Sequence, residues 1–168
     1  MSAGSAKSKT EQLVTAALMI ALIVIGTIVL RIPIPMTQGY VHLGDTMIYL
    51  SVMVLGKKYG AAAAGIGSAM GDIIGGFAMW APWSLLIKFL MAYVTGMISE
   101  RSGHNRKLLI PAMTAGGLVM CAGYVAAEGI MYGSWALALT GLPWNIGQFA
   151  VGILLSLAIN ASLRHFSK

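Results

Sequence analysis

Charge is the scarcest commodity in this sequence. Only 10% of its 168 residues are Asp, Glu, Lys or Arg, where soluble domains carry about 25%. Hydrophobic residues make up 58%, and the mean hydropathy is +0.81. The shortage excludes an ordinary water-soluble domain and implies a polytopic membrane protein. Cysteine is nearly absent as well. Cys121 stands alone, which rules out an internal disulfide and any Cys-rich metal site. No G-x-x-x-x-G-K-[ST], H-E-x-x-H or G-x-S-x-G occurs, so a P-loop, a zincin and a nucleophile elbow are all missing. His42, His104 and His165 lie in separate segments, and neither a metal cluster nor a cofactor is expected. No inverted repeat relates the two halves, unlike many secondary transporters.

What is present is a series of apolar runs. The chain begins with a short basic tail, residues 1–11, followed by an apolar run at 13–30. That run exceeds a signal-peptide core of about 7–15 residues and lacks an A-x-A exit, so it reads as a retained first helix. Further runs lie at 46–55, 59–78, 82–99, 108–130 and 143–163, with a long outer loop at 31–45. Membrane-spanning helices take about 17–25 residues, which makes 46–55 short. The expected fold is an all-α bundle of six transmembrane helices in one domain, residues 1–168, with both termini cytoplasmic. Lys and Arg support that direction, because cytoplasmic loops collect them. Nine fall on the inner side of such a topology, Arg31 alone on the outer side, and Lys88 inside a run. The net charge of +6 is thus a topology signal, and a nucleic-acid patch is not expected.

Small residues mark where helices meet in lipid. Gly67, Gly71 and Gly75 repeat every four residues in GIGSAMGDIIGGF, residues 65–77, and therefore share one helix face. They read as a packing seam, with a sliding or substrate-facing surface as the alternative. Ala17 and Ala21 make an A-x-x-x-A pair on the first run, suited to a neighbouring helix of this chain or of another protein.

Charges inside a bilayer cost about 2.5–3.5 kcal/mol each on insertion scales, so they need partners or water. Asp72, Lys88 and Glu128 fall inside runs, and Asp45 falls at the edge of one. With the expected topology these four lie in the outer half, as do Asn145 and Gln148. All four Trp residues are on that side too, Trp83 and Trp135 among them. The outer loop contributes Gln38, Tyr40 and His42, polar groups able to close over a ligand. Pro33 and Pro35 bias that loop towards extended conformations. Aromatic walls with a few fixed polar groups suit a small-molecule pocket that opens outward. The expectation is that Asp72 pairs with Lys88, which then touches the ligand; the alternative is an ion pair that only joins two helices. A proton relay would have to continue to the other face, and this one stops halfway.

Together these features resemble the substrate-binding S components of energy-coupling factor (ECF) vitamin transporters. The resemblance rests on the small size, the helix count and direction, ALMIA at residues 17–21, the long outer loop, and GYVHLGDTMIYLSVMVLGKKYGAAAAGIGSAMGDIIGG at residues 39–76. It implies a binding subunit and no enzyme. It implies a complex with a transmembrane coupling protein (EcfT) and two cytoplasmic ATPases (EcfA and EcfA′), with Ala17 and Ala21 facing the coupling protein and the first loop covering the substrate. Within the family the chain is most similar to the subgroup assigned to hydroxymethylpyrimidine or pyridoxine. Riboflavin, pantothenate, thiamine and folate stay open as substrates. A small intramembrane enzyme using Asp72, Lys88 and Glu128 is the reading from another class.

Overall fold

The computed structural model of the chain describes residues 8–34, 39–102 and 105–166. Helix α1 spans Lys9–Val29. It starts at a capping box: Ser8 Oγ accepts from the Glu11 backbone N–H at 3.1 Å, and the Glu11 carboxylate accepts from the Ser8 N–H at 2.7 Å. Two short antiparallel strands follow, β1 (Arg31–Pro33) and β2 (Tyr40–His42), with Ile32 opposite Val41. Helix α2 is Gly44–Ile74, α3 is Ala81–Arg101, α4 is Arg106–Tyr132 and α5 is Trp135–Phe166.

The expected six helices are corrected to five among the described residues. The runs at 46–55 and 59–78 belong to one element, α2, whose only non-helical residue is Gly56 (φ 73°, ψ −176°). A straight helix would hold Gly44 and Gly71 about 40 Å apart, yet both lie against Thr27 of α1. The element therefore doubles back at Gly56, a backbone conformation that glycine adopts without strain. Ser51 Oγ donates to the Gly60 carbonyl at 3.2 Å across the two arms. Glu100 of α3 holds the reversal, accepting from the Lys57 backbone N–H at 2.9 Å and pairing with Lys57 Nζ at 2.8 Å. Four helices are long and apolar enough to cross a membrane: Lys9–Val29, Ala81–Arg101, Lys107–Tyr132 and Trp135–Leu163. That count overturns the expectation of six spanning helices. The glycines, the two aspartates and the Lys57–Lys58 step keep α2 out of it.

The glycine seam packs against α1. Gly67 meets Ile23 and Gly71 meets Thr27 of α1, and Gly75 at the helix end meets Arg31 of β1, so the period-four glycines face residues of the same spacing. Gly65 sits on another side of the helix, against Leu85 and Phe89 of α3. The core of the bundle centres on Ile48, Tyr49, Met91, Met113 and Met120, and the Tyr49 hydroxyl donates to the Met113 carbonyl at 3.0 Å. Helix α5 begins at Trp135, eight residues before the apolar run expected at 143–163. Ser134 Oγ accepts from the Leu137 N–H at 3.3 Å and caps it. Pro143 thus lies within the helix and leaves the Leu139 carbonyl without its usual donor.

Candidate functional site

The helices bring a set of buried polar groups to one end of the bundle, beneath the strand pair. Its deepest layer is an ion pair. Lys88 Nζ donates to Asp45 Oδ1 at 2.5 Å, and neither side chain is exposed at all. Lys88 also donates to the Met120 sulfur at 2.8 Å and lies 5.4 Å from the Tyr124 ring centre, which uses up its surroundings. Gln148 Nε2 donates to Asp45 Oδ2 at 2.9 Å, and Gln148 Oε1 accepts from the His42 backbone N–H at 2.8 Å. A continuous polar chain thus runs from β2 through α5 and α2 to α3. Asp45 and Lys88 form the floor and do not line the cleft above it.

That cleft is walled by Tyr40, His42, Asp72, Trp80, Ser84, Tyr124, Glu128, Asn145 and Gln148, with Ile34 and Gly39 at its rim. The narrow interior between these walls, about 20 Å³, has room for little more than one water. Trp80, 3% exposed, packs with its ring centre 6.1 Å from that of Tyr124 and edge-on to Tyr132 at 6.4 Å. The strand pair closes the top. The Tyr40 hydroxyl donates to Asp72 Oδ1, and its ring lies 4.4 Å from Phe77. Arg31 is spread over both rings at 5.4 and 5.6 Å and donates to the Gly75 carbonyl at 2.7 Å.

Protonation states follow from burial. The Tyr40 hydroxyl is pushed well above its usual range, first by burial and then by the Asp72 charge, so it stays a donor. His42 is pushed down to about 3, first by burial and then by Lys88, with Asp45 opposing. It is neutral at physiological pH. Because its Nδ1 accepts from the Gly44 N–H at 3.0 Å, the proton resides on Nε2.

Two carboxylate oxygens stand apart. Among the described residues, Asp72 Oδ2 and Glu128 Oε2 are buried without a hydrogen-bond partner. Ser84 lies beside Asp72, within reach of its carboxylate, and its hydroxyl also pairs with that of Tyr124 at 3.0 Å, either of the two donating. Glu128 faces Gly141 of α5, where an added Cβ would come within 2.9 Å of Oε2.

Of the residues singled out from sequence, Tyr40, His42, Asp72, Glu128, Asn145 and Gln148 come together in the cleft. Asp45 and Lys88 lie below it, paired with each other, where Lys88 had been expected to pair with Asp72. Trp83 packs against the core and is not part of the cleft wall; Trp135 is 61% exposed, over Gly129. Gln38 lies outside the described residues. Three wall residues were not singled out: Trp80, Ser84 and Tyr124. Helical spacing could have found them, since Trp80, Ser84 and Lys88 follow one another at intervals of four, as do Met120, Tyr124 and Glu128.

The architecture and the sequence both have known counterparts. A protein-family model described as "ECF-type riboflavin transporter, S component" matches residues 7–165. The chain belongs to this family of ECF-type S components. It is a transporter subunit of the multi-pass cell-membrane class, and not an enzyme. This S component is 34% identical to the "Thiamine precursor transporter HmpT" of Lactococcus lactis subsp. cremoris over 74% of its own length and 70% of the relative's. It is 37% identical, over 66% of its length and 74% of the relative's, to a Pyrococcus woesei protein described as an "uncharacterized protein in gap 3′region". Its fold matches a solved structure described as "Structure and mechanism of the S component of a bacterial ECF transporter", with TM-score 0.74 and 19% identity, covering 96% of this chain and 99% of that one.

Proposed function

We propose that this S component captures a small hydroxylated heteroaromatic vitamin precursor, hydroxymethylpyrimidine, for an ATP-driven ECF-type importer. The observation that carries this reading is the 34% identity to a thiamine precursor transporter over 74% of the chain. The cleft supports it: Trp80, Tyr124 and Tyr40 offer ring faces, and Asp72, Glu128, Asn145 and Gln148 offer hydrogen bonds at their edges. The cleft opens outward, because Lys57, Lys58, Arg101 and Lys107 mark the opposite end of the bundle and such residues favour the cytoplasm. A ring needs more room than the narrow interior has, so the strand pair parts to admit it and closes over it. The energy for import comes from two cytoplasmic ATPases, reached through a transmembrane coupling protein that docks on α1 at Ala17 and Ala21.

The matched family model names riboflavin, which makes riboflavin the second reading. Mass spectrometry of the small molecule that copurifies with the protein separates them, followed by titration with hydroxymethylpyrimidine, pyridoxine and riboflavin. Hydroxymethylpyrimidine is expected to bind most tightly. Tight riboflavin binding with no measurable affinity for the pyrimidine reverses the assignment.

A further inference from the structure

Asp72 Oδ2 and Glu128 Oε2 are the only two acid oxygens among the described residues that are buried and unpaired, and both acids wall the same cleft. They come from different helices, α2 and α4, so the coincidence is not a matter of sequence spacing. Asp72 and Glu128 are 3% and 2% exposed. The cations nearby are already engaged: Lys88 by Asp45 and Met120, and Arg31 by the Gly75 carbonyl and the Tyr40 and Phe77 rings. The Tyr40 hydroxyl is engaged with Asp72 Oδ1, and the Ser84 and Tyr124 hydroxyls share one hydrogen bond in which either is the donor, leaving Glu128 Oε2 with no hydroxyl partner. Among the described residues neither oxygen has a protein donor in hydrogen-bond geometry. In its ionised form each of these acid oxygens can only accept, and a buried acceptor left unmatched is unfavourable.

We propose that Asp72 and Glu128 together read hydrogen-bond donors on the ligand, so that the cleft selects an amino-substituted ring over the same ring carrying an oxo group. An exocyclic amino group presents N–H donors at the edge where an oxo group presents lone pairs. Against two unpaired acid oxygens the first is matched and the second repelled. Sites built to hydrogen-bond a polar group reject analogues that lack it far more strongly than apolar pockets reject a change of size. Asp72 has a second consequence: one of its oxygens takes the Tyr40 hydroxyl of the strand pair and the other is left for the ligand, so a bound donor and the closed strand pair share one carboxylate.

This inference rests on the proposed pyrimidine substrate class, and one experiment distinguishes the two. The purified full-length protein is titrated calorimetrically with 4-amino-5-hydroxymethyl-2-methylpyrimidine and with its 4-oxo analogue. The amino ring is expected to bind at least about 100-fold more tightly. In Asp72→Asn/Glu128→Gln, whose amides both donate and accept, the ratio is expected to fall at least tenfold, and binding of the oxo ring shows that the variant is folded. Glu128→Gln alone gives the same comparison should the double variant not fold. Equal affinity of the wild type for both rings, or an unchanged ratio in the variant, overturns the inference and leaves the substrate class standing. Binding of neither ring overturns both.

Discussion

Lys88 carries the heaviest electrostatic burden of any residue here. It sits unexposed at the floor of the cleft with Asp45 as its counter-ion, and it does not touch the space where a ligand would lie. Its loss should therefore act on stability first. Lys88→Met leaves Asp45 charged and unmatched in a dry site, which costs roughly 3–5 kcal/mol. The expected result is a large drop in the thermal unfolding midpoint, with much of it restored in Lys88→Met/Asp45→Asn. A Lys88→Met protein that melts like the wild type but no longer binds would make Lys88 a ligand contact instead. The polar cluster itself was legible in the sequence, because charges in an apolar run stand out and their depth follows from the helix rise. The pairing was not. Depth leaves open how each helix is turned about its axis, and that rotation is what gives Lys88 to Asp45 and leaves Asp72 facing the cleft.

At the scale of elements, α1 and the second arm of α2 meet through glycines. A Cβ on Gly71 would come within 2.8 Å of the Thr27 methyl group and 2.9 Å of its Cβ. Thr27 is β-branched and fully buried, so it cannot turn aside. Gly71→Ala should destabilise by about 1–3 kcal/mol through overpacking. Gly147→Ala, with nothing within 4 Å of the added atom, should hold or slightly raise the unfolding midpoint, since alanine is favoured over glycine in a helix by about 1 kcal/mol. A neutral Gly71→Ala would show that the two helices can separate freely. The seam could be read from the period-four spacing alone, and so could the start of α1, since Ser8 and Glu11 have the spacing of a capping box. The strand pair and the five-helix count could not. Three-residue strands leave too little alternation to detect, and a reversal made in one residue leaves no loop. Hydropathy registers the Lys57–Lys58 step as a gap, and the backbone reverses beside it at the single residue Gly56.

For the whole molecule, the exposed side of α1 is the most conspicuous surface. Ala17 and Ala21 lie on it beside Val14, Leu18 and Ile25, which are 65%, 55% and 55% exposed, on the side turned away from Ile23 and Thr27. Small residues there allow a foreign helix to approach closely. Ala17→Leu/Ala21→Leu should leave ligand affinity within twofold of the wild type and reduce cellular uptake at least tenfold, with weaker copurification of the coupling protein. Wild-type uptake by that variant would remove the docking role from this face. The reversal at Gly56 also bears on how the chain enters the membrane. Neither arm of α2 is long enough to cross a hydrocarbon core of about 30 Å, at about 18 and about 27 Å, and each carries an aspartate. While the chain is still emerging from the ribosome, Asp45 has no counter-ion, because Lys88 is synthesised some forty residues later. Seating the hairpin against α1 before α3 has been made leaves Asp45 without its counter-ion, so α3 brings the charge that favours its burial.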